Sequence, residues 1–176
     1  MKNKRLFRRK IKEKLKMVII SKEIINNLDF DCGDEDLNDF IYENALKHLY
    51  EDLAVTYLCM IDDIVLGFIS ISNASVKIMK KHKKEMKFQY SEFPAVKIGR
   101  LAIDKRYKGM GIGTYLIKWL SGKSEIMGQE IGIRFLSLDA YEKSVDFYKK
   151  LGFYIYDNKK RNIPMYFDLN NSENEG

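Results

Sequence analysis

Apolar positions recur at two spacings along this chain, every second residue and every third or fourth, and the changes between them mark its elements. Met17-Val18-Ile19-Ile20 is a short apolar run suited to a first strand. Asp31-Cys32-Gly33-Asp34 then offers turn and cap chemistry, with Asp34, Glu35 and Asp36 placed for a helix N-terminus. Leu37, Phe40, Ile41, Asn44, Ala45 and His48 follow at helical steps, which predicts one amphipathic helix ending near Tyr50. Residues 54–61 and 64–72 are β-branched and aromatic on either side of Asp62-Asp63, the pattern of an antiparallel hairpin. Residues 73–94 read as a long lysine-rich connection broken by Pro94, and a loop of that length is more often functional than a packing element. Strands are expected over 95–103, 133–138, 152–156 and 165–169, with helices over 111–126 and 142–151. The order β-α-β-β-β-α-β-α-β-β combines early hairpins with late β-α-β units. It predicts a three-layer α/β fold around a mixed sheet.

Composition narrows the class. A chain of 176 residues, 45% hydrophobic and 12% aromatic, is long enough for one domain with a real core. No internal repeat or linker divides it. Cys32 and Cys59 carry neither metal spacing nor a disulfide framework, which fits a reducing compartment. No apolar run is long enough to span a bilayer, and the N-terminus lacks the apolar core of a signal peptide, so a soluble cytoplasmic protein is expected. The net charge of +6 is uneven: residues 1–16 hold nine of the 31 bases and one of the 25 acids, leaving 22 bases and 24 acids, a net of −2. That leader is either a basic arm for nucleic acid or an anionic surface, or a solvated tail or upstream start before Met17. The solvated reading is preferred, since a charge run usually signals only solvation. The domain is expected over 17–169, with 170–176 disordered.

Two constellations carry chemistry. The first is Arg106-Tyr107-Lys108-Gly109-Met110-Gly111-Ile112-Gly113-Thr114, a basic glycine-rich turn between a strand and a helix. Its glycines let backbone approach a ligand closely, and the first free N–H groups of the helix, at the positive end of its dipole, suit an anion. It has neither the Gly-Lys-Ser/Thr ending of a P-loop nor the early acidic ribose ligand of a dinucleotide fold, so it reads as a phosphate seat of another kind or as a tight connection. The second is Phe147-Tyr148-Lys149-Lys150-Leu151-Gly152-Phe153, a helix end with Gly152 at its stop. Ser144, Tyr148 and Leu151 share a face there. Tyr148 is either a core aromatic or, beside an activated thioester, a proton donor to a departing thiolate. His48 has no companion ligands and reads as helix surface, and no metal set is present.

Together the two motifs resemble the GNAT N-acetyltransferase superfamily, over residues 17–169. The resemblance implies a GNAT-like three-layer fold with a central mixed sheet of six to seven strands flanked by helices. It implies acetyl-CoA as acetyl donor, its pyrophosphate on the N–H groups of Lys108, Gly109, Met110, Gly111, Ile112, Gly113 and Thr114 with Arg106 on the same loop. Pantetheine would pair with backbone near Leu101, Ala102 and Ile103, and Tyr148 would be the general acid. Direct transfer to an amine, without a covalent enzyme intermediate, follows. Pairing of two copies through the late strands is common in such enzymes, which makes a homodimer an expectation.

Phe30-Asp31-Cys32-Gly33-Asp34-Glu35-Asp36-Leu37-Asn38-Asp39-Phe40 and Gly99-Arg100-Leu101-Ala102-Ile103-Asp104 are similar, more narrowly, to acetyltransferase toxins of toxin–antitoxin modules. That similarity implies an aminoacyl-tRNA amino group as acceptor and a ribbon–helix–helix antitoxin as partner. The cluster Lys77, Lys80, Lys81, Lys83, Lys84 and Lys87 would suit RNA phosphates, or be a solvated loop. A small-molecule or protein amine, and a non-catalytic acyl-CoA-binding domain, remain the alternatives. Glu92, Asp139 or a water are the candidates for the base that deprotonates the amine. Arg100 either orients a ligand or pairs with an acid on the strand face.

Overall fold

The structure, a computed structural model, describes residues 14–77, 89–156 and 162–170. Most of the basic leader, Lys80 to Lys87 of the lysine cluster and residues 171–176 lie outside them. Among the described residues, seven strands form one mixed sheet in the order β1-β2-β3-β4-β5-β7-β6, and helices flank it. The chain falls into two compact units, residues 1–71 with 100–118 and residues 72–99 with 119–176.

The first unit begins with β1 (Lys16–Ile19), antiparallel to β2 (Val55–Ile61), which is antiparallel to β3 (Ile64–Lys77). Asp62 takes φ 51 in the hairpin turn, a left-handed conformation that Asp tolerates better than most side chains. The ladder shifts register between Cys59 and Met60. A short helix, α1 (Lys22–Asn26), was not anticipated; Ser21 caps it by accepting from the Ile24 N–H at 3.4 Å.

The expected single helix before Tyr50 is three pieces: α2 (Glu35–Asp39), a π-helical turn (Phe40–Asn44) and α3 (Ala45–Tyr50). Asp34 caps α2 as the sequence suggests, accepting from the Leu37 N–H. The π-turn inserts an extra residue into the helical repeat. Asn44, expected on the apolar face, is exposed, while Ala45 is fully buried and Leu46 and Leu49 pack on the core. Phe68 of β3 is the centre of that core, with Phe30 at 5.5 Å and Phe40 at 5.9 Å between ring centroids. Close strand contact continues to the end of β4 (Glu92–Ile103): a Cβ on Gly67 would stand 2.7 Å from Ile103 Cδ1 and 2.8 Å from the Ala102 carbonyl oxygen.

In the second unit β4 runs parallel to β5 (Phe135–Ala140), paired from Ala95–Phe135 to Ile98–Leu138. β7 (Ile163–Asp168) is antiparallel to β5, and β6 (Tyr154–Ile155) to β7. Phe135 packs edge-on against Phe93 and Tyr166, and Arg134 reaches the buried Asp168 at 2.7 Å. Helix α4 (Ile112–Ile131) runs five residues past its expected end before Gly132 (φ 68) stops it. Residues 73–94 are not one long connection. β3 continues to Lys77 and β4 starts at Glu92, so Pro94 lies inside a strand, its carbonyl accepting from the Arg134 N–H at 2.9 Å. The small, mostly polar residues 73–75 concealed the rest of the strand, although Val76 is buried.

Gly67→Ala is expected to destabilise the fold by about 1–3 kcal/mol through overpacking against backbone, read as a lower urea midpoint. An unchanged midpoint would show that β3 and β4 can separate freely at this point.

Candidate active site

The glycine-rich turn lies in the first unit. β4 ends at Ile103, Asp104 caps a 3₁₀ turn (Lys105–Tyr107), and the chain then passes through Gly109 (φ 75) and Gly111 (φ 86) into α4. Both φ values lie where a side chain is strained, and a Cβ at either position would meet nothing within 4 Å. The glycines therefore serve backbone conformation and leave the space beside the turn open. The Tyr115 N–H to Gly111 carbonyl bond, 3.0 Å, is the first of the helix. Ile112, Gly113 and Thr114 form the first turn of this 20-residue helix, where N–H groups have no intrahelical acceptor. Leu101, Ala102 and Ile103 end β4, beyond the stretch paired with β5.

The basic side chains of the turn are engaged within the protein. Arg106 donates from Nε and Nη2 to Asp104 (2.9 and 2.7 Å), from Nη1 to Asp29 Oδ2 (2.6 Å), and from Nη2 to the Asp29 carbonyl (2.8 Å). Lys105 Nζ meets Asp31 Oδ2, and Lys108 Nζ donates to the Cys32 carbonyl at 2.7 Å. Two backbone bonds complete the attachment, Lys105 N–H to the Asp31 carbonyl (2.8 Å) and Asp31 N–H to Asp104 Oδ2 (3.1 Å). Asn38 adds a bond from its amide to Asp31 Oδ1 (2.9 Å) and accepts from the Cys32 N–H (3.0 Å). Segment 29–32 is thus fastened to segment 104–108, more than seventy residues later.

Electrostatics follow from this fastening. The Lys105 ammonium, then Asn38 and the Gly33 N–H, hold the Asp31 carboxyl well below the usual carboxylate range. Burial alone would raise Asp104, but hydrogen bonds from the Arg106 side chain and backbone and from Asp31 together outweigh it and lower its pKa. Asp104 in turn holds Arg106 firmly charged.

Tyr148 lies in the second unit, on α5 (Val145–Lys149), which follows a 3₁₀ turn (Glu142–Ser144). It is 8% exposed, with the rings of Phe147 and Phe153 at 5.0 and 5.5 Å. Burial pushes its phenol up to about 12, so the hydroxyl keeps its proton throughout the neutral range. Gly152 (φ 89) turns the chain so that the Phe153 N–H donates back to the Tyr148 carbonyl at 3.1 Å.

The other candidates are placed as follows. Asp139 pairs with Lys97 at 2.7 Å, and Glu92 accepts from Ser75 Oγ at 2.6 Å, so each carboxylate already has a partner. The Arg100 guanidinium lies over the Phe40 ring, Cζ 5.4 Å from its centroid, and His48 meets the same ring edge-on at 5.5 Å. Cys32 and Cys59 are buried free thiols, and burial raises both, Cys59 to about 12, which keeps them from acting as thiolates. Among the described residues, no group of three or more His, Cys, Asp or Glu is placed to hold a metal ion, and no helix is long and apolar enough to cross a membrane. Asp29, Asp31 and Asp104 were not singled out for this site by sequence. Asp31 was read as a turn residue and, with Asp104, as part of the stretches similar to acetyltransferase toxins, and nothing local announces that the two segments meet.

A mixed seven-stranded sheet with a glycine turn opening into a 20-residue helix defines the fold as α/β, a class that does not by itself fix the reaction. The particular family is shown directly: residues 22–153 match the model of the acetyltransferase (GNAT) family, and the chain belongs to that family. It is 24% identical over 127 residues to a tRNA-acetylating toxin of Mycobacterium tuberculosis, covering 72% of this chain and 76% of that protein. Among solved structures it is similar to AtaT complexed with acetyl-methionyl-tRNAfMet (TM-score 0.78, 25% identity, 90% of this chain and 97% of that one). It is similar too to a Tyr-to-Phe variant of the AtaT toxin bound to the C-terminus of the antitoxin AtaR and acetyl-CoA (TM-score 0.72, 25% identity, 90% and 96%).

The lowered Asp31 carboxyl has a signed consequence. A carboxylate held low stabilises the fold fully above its unfolded value of about 3.9, and that contribution is lost as pH falls below it. Asp31→Asn should therefore melt below wild type at neutral pH, with the gap narrowing progressively as pH falls below about 4. A gap that stays constant over that fall would show the ionised form is not what stabilises.

Proposed function

We propose that this acetyltransferase moves the acetyl group of acetyl-CoA to a primary amine, and that the amine is the amino group of an aminoacyl-tRNA. The observation that carries the donor half is the open glycine turn at the N-terminus of α4. The residues fit a coenzyme A pyrophosphate: two glycines with no neighbour where a side chain would stand, followed by first-turn N–H groups and the positive end of the helix dipole. In this reading the N–H groups within residues 108–114 hold the pyrophosphate, that of Met110 excepted because it donates to the Tyr107 carbonyl at 3.3 Å, and the backbone of Leu101, Ala102 and Ile103 pairs with pantetheine. The acceptor half is supported by the likeness to the tRNA-acetylating toxin and to AtaT with its acetylated tRNA.

Bound acetyl-CoA supplies an activated thioester. The amine nitrogen bonds to the acetyl carbon as the carbon–sulfur bond breaks; one proton leaves the nitrogen and one passes from the Tyr148 hydroxyl to sulfur. A phenol at about 12 is a weak acid, so Tyr148 donates as sulfur acquires charge rather than before. The proton is present at neutral pH with or without that shift; what burial changes is the strength of the acid, which is lower. Glu92 and Asp139 are both paired, which leaves a water as the better acceptor for the amine's proton. The likeness to an AtaT variant bound to acetyl-CoA supports the choice of donor. The expected partner is an antitoxin of the ribbon–helix–helix type, and the expected compartment is the cytoplasm, where tRNA is charged.

Tyr148→Phe should lower turnover by about 10²–10⁴-fold while acetyl-CoA affinity stays within about twofold; equal turnover would remove the assigned role. The rate of the wild type should rise with pH as the amine deprotonates, near 8 for an α-amino group, with no fall near neutrality from Tyr148. Gly111→Asp places bulk and negative charge at the pyrophosphate seat and should abolish measurable acetyl-CoA binding by calorimetry. For the acceptor, wild type and Tyr148→Phe are expressed from an inducible promoter and cellular aminoacyl-tRNA is analysed by mass. Growth arrest with N-acetylated aminoacyl-tRNA only in wild type is expected. Normal growth with unmodified tRNA would point to a small-molecule or protein amine instead.

A further inference from the structure

Three cationic side chains, those of Lys105, Arg106 and Lys108, stand in the turn assigned to pyrophosphate. Each has a terminal nitrogen against an oxygen of residues 29–32. The centre of the arrangement is Asp104, whose residue is 0% exposed. Its Oδ1 accepts from Arg106 N–H (2.8 Å) and Arg106 Nε (2.9 Å); its Oδ2 accepts from Arg106 Nη2 (2.7 Å) and from the Asp31 N–H (3.1 Å). A buried carboxylate is stable only when paired and hydrogen-bonded, and four donors meet that need here. The Asp104 carbonyl also accepts from the Tyr107 N–H at 2.9 Å, so the same residue sets the bend by which the chain leaves β4. Five residues later the chain reaches Gly109.

We propose that Asp104 is the positioning residue of the coenzyme site. It locks the turn that delivers Gly109 and Gly111, and it occupies the Arg106 guanidinium, so that phosphate is met by backbone N–H groups rather than by an arginine. The proposal rests on the assignment of the turn to acetyl-CoA. It replaces the direct contact from Arg106 that the motif suggests with an indirect one through Asp104 and Asp29.

The two arrangements predict opposite signs. If Arg106 were the phosphate ligand, neutralising Asp104 would free the guanidinium and remove a nearby negative charge, and acetyl-CoA would bind more tightly. If Asp104 positions the turn, binding weakens. Asp104→Asn is measured in the full chain by calorimetry and steady-state kinetics, with acetyl-CoA and with acetyl-pantetheine, which lacks the diphosphate. The expected result is a rise of about 10- to 100-fold in the KM and Kd for acetyl-CoA, as for a misplaced binding group. Turnover at saturation should fall less than KM rises, and the KM for acetyl-pantetheine should stay at the wild-type value. Arg106→Gln should weaken acetyl-CoA binding similarly, and the double variant should be no worse than either alone.

Unchanged or tighter acetyl-CoA binding by Asp104→Asn overturns the proposal, as does an equal loss for both donors. Should Asp104→Asn fail to fold, Asp29→Asn decides, because Asp29 is 86% exposed and holds only the outer arm of Arg106. Weaker acetyl-CoA binding supports positioning, and tighter binding refutes it. A wild type that binds acetyl-pantetheine and acetyl-CoA equally would instead refute the assignment of the turn to pyrophosphate.

Discussion

Burying the Asp104 carboxylate beneath the end of β4 is the constraint on which the candidate site depends. An ionised carboxylate without water must be answered by donors, and the chain supplies them from two distant places: the Arg106 backbone and fork on one side, and the Asp31 N–H on the other. Satisfying that one group brings residues 29–32 against residues 104–108. The glycine turn leaves from this fixed base, which is why two residues with positive φ and open surroundings can hold a defined path.

The charge pattern of the protein reads differently in this light. Lys105, Arg106 and Lys108 look like a basic lure for phosphate, yet their charges are met by Asp31, Asp104, Asp29 and the Cys32 carbonyl. What remains for an anion is the array of N–H groups at the start of a 20-residue helix, whose dipole is fixed and needs no reorganisation. Tyr148 illustrates the complementary strategy. Its raised pKa comes from burial, beside the rings of Phe147 and Phe153, rather than from a charged neighbour.

Much of the fold was legible because its signals are local. The seven strands, the Asp34 cap and the Gly152 stop follow from period, capping and left-handed glycine chemistry within a few residues. Where legibility failed, a non-local effect competed. The helical periodicity around Phe40 gave no sign of a π-turn, because Asn44 and Ala45 differ in burial only once Phe68 stands opposite. Asn73 to Ser75 looked like loop because they are small and mostly polar, yet they continue a strand that runs through the buried Val76 to Lys77. Five residues of α1 carried a serine cap and two isoleucines, too short a pattern to separate from a turn.

Sequence alone determined the identity of the turn, its glycines and its place between a strand and a helix, since these need only spacing and the conformational freedom of glycine. It also singled out Tyr148 and the helix stop behind it. Tertiary structure decided which charges are available. Arg106 meets the neighbouring Asp104, but that carboxylate is buried and Asp29 is brought to the outer arm of the guanidinium only by contact with a segment more than seventy positions away, and whether a tyrosine titrates at 10 or about 12 depends on how much water its neighbours exclude. Local pattern specifies backbone; solvation and ion pairing, which set chemical character, exist only once distant segments have met.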